Sequence, residues 1–411
     1  MRSVKVNDRV HTGFCKTDNL SKGEMIMPEG EIYDRLRDWL KQTWYGLPEA
    51  DELASLIKCA YTPEEASLLT GMPFSGRNLE ELAEMKDMDP SELREQLDAM
   101  AKKGLVFRTV RGDTVRYSLN DSFFVNYRSV FWPGQTDERS NAMAPLVNQY
   151  YYHGGWDKWR DTHTKVLRVL PIQKTIEDTR QILPYEEVVK VLDQHNYFTV
   201  SICPCKHRKN IDPNSPDCKY PTEVCLHFGR LGHYIVENAL GREITRQETE
   251  EILRQCAEAG LVHGVSNMQE GPDTICNCDP CCCVTLEAFH KLKHAEGMNR
   301  SNYQVSTNNE TCIGCGLCVK RCPMEALDLE DDPETKDRIT VVGNKELKNK
   351  KGKVSVANIN VCIGCGVCAY KCPTKSLKLE RREAIEHPPK DAGEWMKQWF
   401  DDHKAAQAPN K

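Results

Sequence analysis

Cys312-Ile-Gly-Cys315-Gly-Leu-Cys318-Val-Lys-Arg-Cys322-Pro323 and Cys362-Ile-Gly-Cys365-Gly-Val-Cys368-Ala-Tyr-Lys-Cys372-Pro373 are one run written twice, C-x2-C-x2-C-x3-C-P. A 4Fe–4S cubane needs four thiolates around one compact object, and this spacing supplies them. Tight C-x2-C turns bring three thiols to one cluster. The fourth lies too far along, stiffened by its proline, so it ligates the other cluster. The expected sets are therefore Cys312, Cys315, Cys318 and Cys372 on one cluster, and Cys362, Cys365, Cys368 and Cys322 on the other. Glycines 314, 316, 364 and 366 let the backbone approach sulfide closely and offer N–H groups to it. Zinc knuckles use pairs of Cys or His rather than four thiols ending in proline.

On these residues, about 303–380 resemble the two-cluster bacterial ferredoxins. That resemblance implies a ferredoxin-like fold and low-potential single-electron chemistry in this part of the chain. The remainder must be read from its own residues.

The chain has 411 residues, enough for two to four domains with real cores. Of its 20 cysteines, 18 lie between Cys203 and Cys372, so they are local equipment and not a general disulfide framework. The start, Met1-Arg-Ser-Val-Lys-Val-Asn-Asp-Arg, carries no apolar signal region, and no apolar run reaches the length of a membrane span. A cytoplasmic, reducing location is expected, in which clustered cysteines are metal ligands rather than disulfides. A net charge of −6 argues mildly against a nucleic-acid partner.

Residues 1–122 are expected to hold a winged-helix-like domain. Glu31–Trp44 has apolar residues at helical spacing (Ile32, Leu36, Trp39, Leu40, Trp44), and helices follow near Ala50–Ala60 and Pro63–Thr70. Asp89-Pro90-Ser91-Glu92 opens another helix, with Leu93, Leu97 and Met100 inward and Gly104 closing it. Leu105–Thr109 and Thr114–Leu119 then alternate as two strands about an Arg111-Gly112-Asp113 turn. The helix face at Glu92, Arg94, Glu95, Asp98, Lys102 and Lys103 is charge-balanced. Docking is therefore favoured over reading DNA, although Arg108, Arg111 and Arg116 keep the second option open.

Residues 123–300 are expected to form a central α/β cysteine-rich domain. Aromatic-rich Phe123–His163 reads as irregular, with inter-domain packing favoured over covering a subunit interface or insulating a cofactor. Lys165–Leu170, Tyr185–His195 and Tyr197–Ile202 read as strand, helix and strand, with Val188, Val189, Val191 and Leu192 inward. Helices follow near Cys225–Leu240 and Arg246–Ala259, the second capped by Thr245 and Gly260.

Nine cysteines in this region, Cys203, Cys205, Cys218, Cys225, Cys276, Cys278, Cys281, Cys282 and Cys283, sit at Pro-punctuated positions. Iron–sulfur binding is the expectation, with zinc and redox-active thiols as alternatives. One partition gives Cys203, Cys205, Cys218 and Cys225 to one cluster, and Cys276, Cys278 and two of Cys281–Cys283 to another. A single central cluster drawing on both sets is also open. Lys206, His207, Arg208 and Lys209 raise its potential, bind an anion or form a solvated turn. Cys15, Cys59 and Cys256 read as buried hydrophobes, and His227, His233 and His263 as structural. Ile275-Cys-Asn-Cys ahead of consecutive cysteines, with ferredoxin motifs behind, resembles poorly characterised ferredoxin-domain iron–sulfur proteins of anaerobic microbes over about residues 30–380. That resemblance implies an electron carrier or a reductase subunit.

Residues 301–380 form the expected two-cluster ferredoxin domain, with 331–356 a projecting hairpin turning at Gly343-Asn344 and clear of cluster binding. Residues 381–411 form a tail with a short helix. No dinucleotide fingerprint, P-loop, radical-SAM motif or nucleophile elbow is present. The expected class is α+β multidomain. The expected function is an iron–sulfur electron-transfer protein with two C-terminal 4Fe–4S clusters, one or two further central clusters and a redox partner protein. The alternatives are a reductase acting at Cys203–Cys283, or a redox-responsive DNA-binding regulator. Homo-oligomerisation or membership of a larger complex stays open.

Overall fold

Local signals dominate residues 28–119, and the chain follows them closely there. The computed structural model describes residues 28–157, 162–215, 217–294 and 297–407; Cys15 lies outside these. Helices α1 (Glu29–Leu40), α2 (Leu53–Ala60), α3 (Pro63–Leu69), α4 (Leu79–Lys86) and α5 (Pro90–Lys102) pack on a three-stranded antiparallel sheet of β1 (Arg77–Asn78), β2 (Val106–Arg111) and β3 (Thr114–Leu119), in the order β1-β3-β2. The Asp89 carboxylate accepts from the N–H groups of Ser91 and Glu92, satisfying two orphan donors of α5. Leu93, Leu97 and Met100 are buried as the spacing requires, and Gly104 takes φ +74°.

The aromatic segment after residue 122 departs from expectation. It is helical rather than irregular: α6 (Glu138–Tyr150) is flanked by wide π-type turns at Val125–Ser129 and Tyr151–Gly155. Asp137 and Ser140 cap α6 reciprocally. Tyr127, Trp132, Tyr150, Tyr151 and Trp156 are all buried, and the inward face of α6 mixes Met143, Ala144 and Val147 with the polar Ser140 and Asn148, which blurs its stripe in sequence.

A six-stranded sheet follows, built from β4 (Leu167–Leu170), β5 (Phe198–Ile202), β6 (Glu223–Phe228), β7 (Arg242–Ile244), β8 (Val262–Ser266) and β9 (Thr274–Cys278). Its order is β4-β8-β9-β6-β5-β7 and every neighbouring pair is antiparallel. The two strands of the expected strand–helix–strand unit are not neighbours, because three strands separate β4 from β5. Its helix shrinks to a 3-10 turn at Pro184–Glu186 and a short helix at Val188–Leu192, and Val189 is exposed. Cys225 lies on strand β6 rather than on a helix. The buried run Val224–Phe228 conceals the alternation that would have marked it. Around the sheet lie α7 (Pro204–Ile211), α8 (Gly229–Glu237), α9 (Arg246–Ala259) and α10 (Val284–Leu292). Thr245 caps α9 and Gly260, at φ +91°, ends it.

The C-terminal tail is not peripheral. Its helix, Ala392–Gln407, runs 16 residues and returns to the beginning of the chain. Trp395 and Trp399 stack at 5.4 Å between ring centres, and Trp44 meets both edge-on at 5.5 and 5.3 Å. The indole N–H of Trp399 donates to the Trp44 carbonyl (3.1 Å) and that of Trp395 to the Lys165 carbonyl (2.9 Å). One helix thus ties the first helices to the edge of the central sheet. Among the described residues, no helix is long and apolar enough to cross a membrane. Trp399 is fully buried. Trp399→Ala is expected to destabilise the protein by about 3–5 kcal/mol through cavity formation and the lost N–H bond, read as a lowered midpoint in urea and earlier proteolytic release of the C-terminal helix.

Candidate iron-sulfur centres

The two cysteine runs occupy equivalent places in a pseudo-symmetric arrangement. Each half is strand, cysteine loop, short helix, Cys-Pro, strand: β10 (Tyr303–Thr307), α11 (Leu317–Arg321) and β11 (Leu327–Asp331), then β14 (Lys353–Ala357), α12 (Val367–Tyr370) and β15 (Leu377–Arg381). The strands pair across the halves. In β10·β15, Thr307 faces Leu377, and in β11·β14, Leu327 faces Ala357. Cys312 lies five residues beyond Thr307 and Cys372 five before Leu377, so the pairing carries both to the same end. Cys362 and Cys322 stand in the same relation to Ala357 and Leu327.

The side chains follow this register. Cys312, Cys315, Cys318 and Cys372 line one small cavity with Ile313, Leu317, Leu329, Pro373 and Leu377. Cys322 sits within electrostatic reach of Cys362, Cys365 and Cys368. Four thiols facing an apolar-walled cavity match the donor chemistry of a cubane. Burial, with the neighbouring thiols adding to it, pushes the Cys365 and Cys368 thiols well up, and the Val367 N–H partly opposes this at Cys365. The Ala326 N–H donates to Cys322 Sγ at 3.3 Å, and Ser355 Oγ lies 3.3 Å from Cys318 Sγ. A side chain at Gly364, whose φ is +73°, would collide with the Tyr303 carbonyl, which fixes glycine there.

The insertion between the runs has two tiers. Its outer hairpin, β12 (Ile339–Val342) and β13 (Lys345–Lys348), turns at Gly343-Asn344 and projects as expected. Its base does not stand clear of the first run. Asn349 is fully buried, and its Nδ2 donates to the carbonyls of Cys312 (3.4 Å) and Lys353 (2.9 Å) and to Thr335 Oγ1 (2.9 Å). Arg338 Nη2 also reaches the Cys312 carbonyl, at 3.1 Å. A lone asparagine in a lysine-rich loop gives no sequence signal for this bracing role.

The nine central cysteines divide differently from the sequence partition. Cys203, Cys205, Cys225, Cys276, Cys278 and Cys283 line a single cavity, walled also by Phe123, Tyr127, Arg128 and Trp132. Along the series Cys203–Cys205–Cys283–Cys278–Cys276–Cys225 each thiol acts electrostatically on the next. Cys218 is drawn away from its expected partners to Cys281, Cys282 and Asp279, and one ligand atom from each of these four lies within 4.8 Å of the others. Two donor groups result, one of six thiols and one of three thiols with a carboxylate. The local cause is α7, which starts at Pro204 and turns Cys203 and Cys205 inward, while Cys276 and Cys278 stand two apart on β9 and so share a face.

Positive charge surrounds these thiols. Lys206, His207, Arg208 and Lys209 ride on α7 and all are buried, so the solvated-turn reading fails. Lys206 Nζ donates to the carbonyls of Pro221 (2.9 Å) and Asn277 (3.1 Å) and lies 3.8 Å from Asp279. Lys209 pairs with the buried Glu287 at 3.2 Å. Arg208 is fully buried with no hydrogen-bond partner, its guanidinium over the Tyr127 ring and within electrostatic reach of Cys205. Hydrogen bonds from Cys203 and Cys283, with Arg208 beside them, hold Cys205 well below the usual thiol range. Those from Cys281 and Cys282, with Lys206, bring Cys218 down to about 3. Thiols so stabilised as thiolates are prepared to be ligands. Trp132 stands with Cys225 in the wall of this cavity, its indole N–H buried without a hydrogen-bond partner. Arg128 and Asp279 escaped the sequence reading, and only Asp279, inside the cysteine run, carried a usable signal. His227 bonds Thr274, His263 bonds Asn277 and His233 stacks on Tyr197, so all three are structural. Cys256 is buried and Cys59 partly so.

The two cysteine fields share one apolar core, which contains Cys278 and Cys283 together with Cys318, Cys362, Cys365 and Cys368. Residues 311–376 match the family model of a 4Fe-4S dicluster domain. No curated protein matches the chain. The C-terminal segment is thus a ferredoxin-like iron–sulfur module. Asn349→Ala should cost about 1–3 kcal/mol for the carbonyls it leaves unpaired. It should also speed iron loss to a chelator from the centre at Cys312 while sparing the one at Cys362, followed by the decay of visible absorbance.

Proposed function

We propose that the chain is an iron–sulfur electron-transfer protein in which two crossed 4Fe–4S clusters exchange electrons with one or two central clusters and then with a partner oxidoreductase. The observation that carries this reading is the shared apolar core joining Cys278 and Cys283 to the thiols of the C-terminal module. The expected sets are Cys312, Cys315, Cys318 and Cys372, and Cys362, Cys365, Cys368 and Cys322. The strand register described above supports them. Such clusters, when bound, store and release single electrons. The chain's own contribution is to exclude water, to supply N–H donors and to balance the thiolates with Lys206, Arg208 and Arg128, which tunes potential.

The helices and sheet of residues 29–119 act, in this reading, as a winged-helix-like docking module within the expected segments 1–122, 123–300, 301–380 and 381–411. Its hairpin is already engaged. Arg108 pairs with Asp98 (3.2 Å) and Glu237 (2.8 Å), and Phe107 packs on Tyr234 at 4.5 Å. An arginine committed to two carboxylates is not available to phosphate, which weighs against the DNA-binding alternative. The reductase alternative draws support from one feature: six thiols exceed what one cubane requires, and they open on a cavity with aromatic walls.

Anaerobically reconstituted full-length protein should carry about 12 iron atoms or more, against about 8 for a dicluster module alone. Cys322→Ala should perturb the electron paramagnetic resonance signal of the centre at Cys362, Cys365 and Cys368. Damage confined to the centre at Cys312 would refute the crossing. Cys276→Ala should lower iron content without changing either C-terminal signal, and an unchanged iron count would refute the central cluster.

A further inference from the structure

Behind strand β4, away from both cysteine fields' thiols, lies a polar cavity that none of the chemistry above uses. It encloses about 430 Å³ of non-atom space, part of it open to solvent. At its base is Arg168, only 3% exposed. None of the guanidinium nitrogens, Nε, Nη1 or Nη2, has a hydrogen-bond partner. The face of the guanidinium is satisfied, lying over the Tyr185 ring at 4.9 Å, but its in-plane N–H fork is not. Burial is strong enough to pull this arginine down to about 10. Leaving such a group unpaired is costly, so a chain that retains it has a partner to supply.

The neighbouring groups narrow the chemistry. Asn299 and Asn302 line the cavity beside Arg168, and Arg300 and His163 stand toward its mouth. Two carboxylates are also present. Glu186 is buried within electrostatic reach of Arg168, but its oxygens accept from the Asn302 N–H (2.7 Å) and Nδ2 (3.4 Å) and the guanidinium N–H groups have no hydrogen-bond partner. Glu386 is exposed at the rim. A cation is therefore opposed by Arg168 at the base, and a large apolar ligand by the polar walls. A planar N–H fork aimed into a small cavity matches two oxygens of a single anion.

We propose that this cavity is a binding site for a small oxyanion, held bidentately by Arg168. Its location gives the site a route to the redox module. Val169 N–H donates to the Asn299 carbonyl (2.8 Å), Ser301 Oγ to the Gly364 carbonyl (2.9 Å) and Ser301 N–H to the Ile363 carbonyl (3.2 Å). The cavity wall thus continues directly into the loop that carries Cys362 and Cys365. The proposal does not depend on which thiols hold which cluster.

The test uses full-length, anaerobically purified protein at constant ionic strength with chloride as the reference anion. Sodium acetate serves as the carboxylate probe and potassium phosphate as the inorganic one. Each is titrated by thermal unfolding and by calorimetry. A saturable rise in midpoint with either probe is expected, because ligand bound only by the folded state stabilises it. The probe that acts identifies the source. Arg168→Met keeps the stacking volume and removes a buried unpaired charge, so it is expected to fold with unchanged iron content and to lose the saturable response. Arg168→Lys keeps the charge without the fork and should bind at least tenfold more weakly. An equal response in wild type and Arg168→Met would reveal general salt stabilisation and overturn the proposal. So would the absence of a saturable response to both probes, or iron loss in both variants, which would make Arg168 purely structural.

Discussion

Gathering thiolates inside a protein is an electrostatic problem before it is a coordination problem. Each buried thiolate loses hydration, and burial drives the thiols of this chain toward their neutral form wherever nothing opposes it, as at Cys365 and Cys368. The fold answers with cations placed in the same dry interior. Lys206, Arg208 and Lys209 come from one short helix, and all three would be prohibitive to bury alone. Arg208, with no hydrogen-bond partner, makes sense only beside negative charge such as that of Cys205. Cations and thiols therefore justify one another, and the packing of residues 123–157 around them follows from the need to keep water out.

The same constraint explains the aromatic lid. Phe123, Tyr127 and Trp132 wall the six-thiol cavity, and the π-type turn at Val125–Ser129 turns Tyr127 and Arg128 toward it together. Such turns are often found at functional sites because they re-aim side chains without ending the helix. A covering segment must be held in place, and here the hold is long-range. The hairpin of the N-terminal sheet packs on α8 through Phe107 and Tyr234, and the last helix brings Trp395 and Trp399 back to Trp44. The described segments thus stabilise one another through contacts of very large sequence separation.

In the C-terminal module the governing relation is strand pairing. Because β10 pairs with β15 and β11 with β14, the end of each half meets the beginning of the other. The crossed sharing of thiols proposed above would then be a consequence of register rather than a separate device. The insertion extends the logic, since Asn349 fixes the Cys312 loop from outside the repeat.

Residue spacing alone determined what short-range chemistry can determine. The duplicated cysteine run announced the dicluster module because four thiols at that spacing have few other uses. The caps at Asp89 and Gly104, and at Thr245 and Gly260, announced helix ends because orphan N–H and C=O groups are satisfied within a turn. Tertiary structure decided whatever depended on partners distant in sequence. It placed β4 and β5 three strands apart, put Cys225 on a strand and separated Cys218 from Cys203 and Cys205. It also turned a basic run into buried counter-charge. None of these could be read locally, because in a chain buried on all sides the polar–apolar alternation that reports orientation is absent. Which thiols meet is fixed only when the sheet closes.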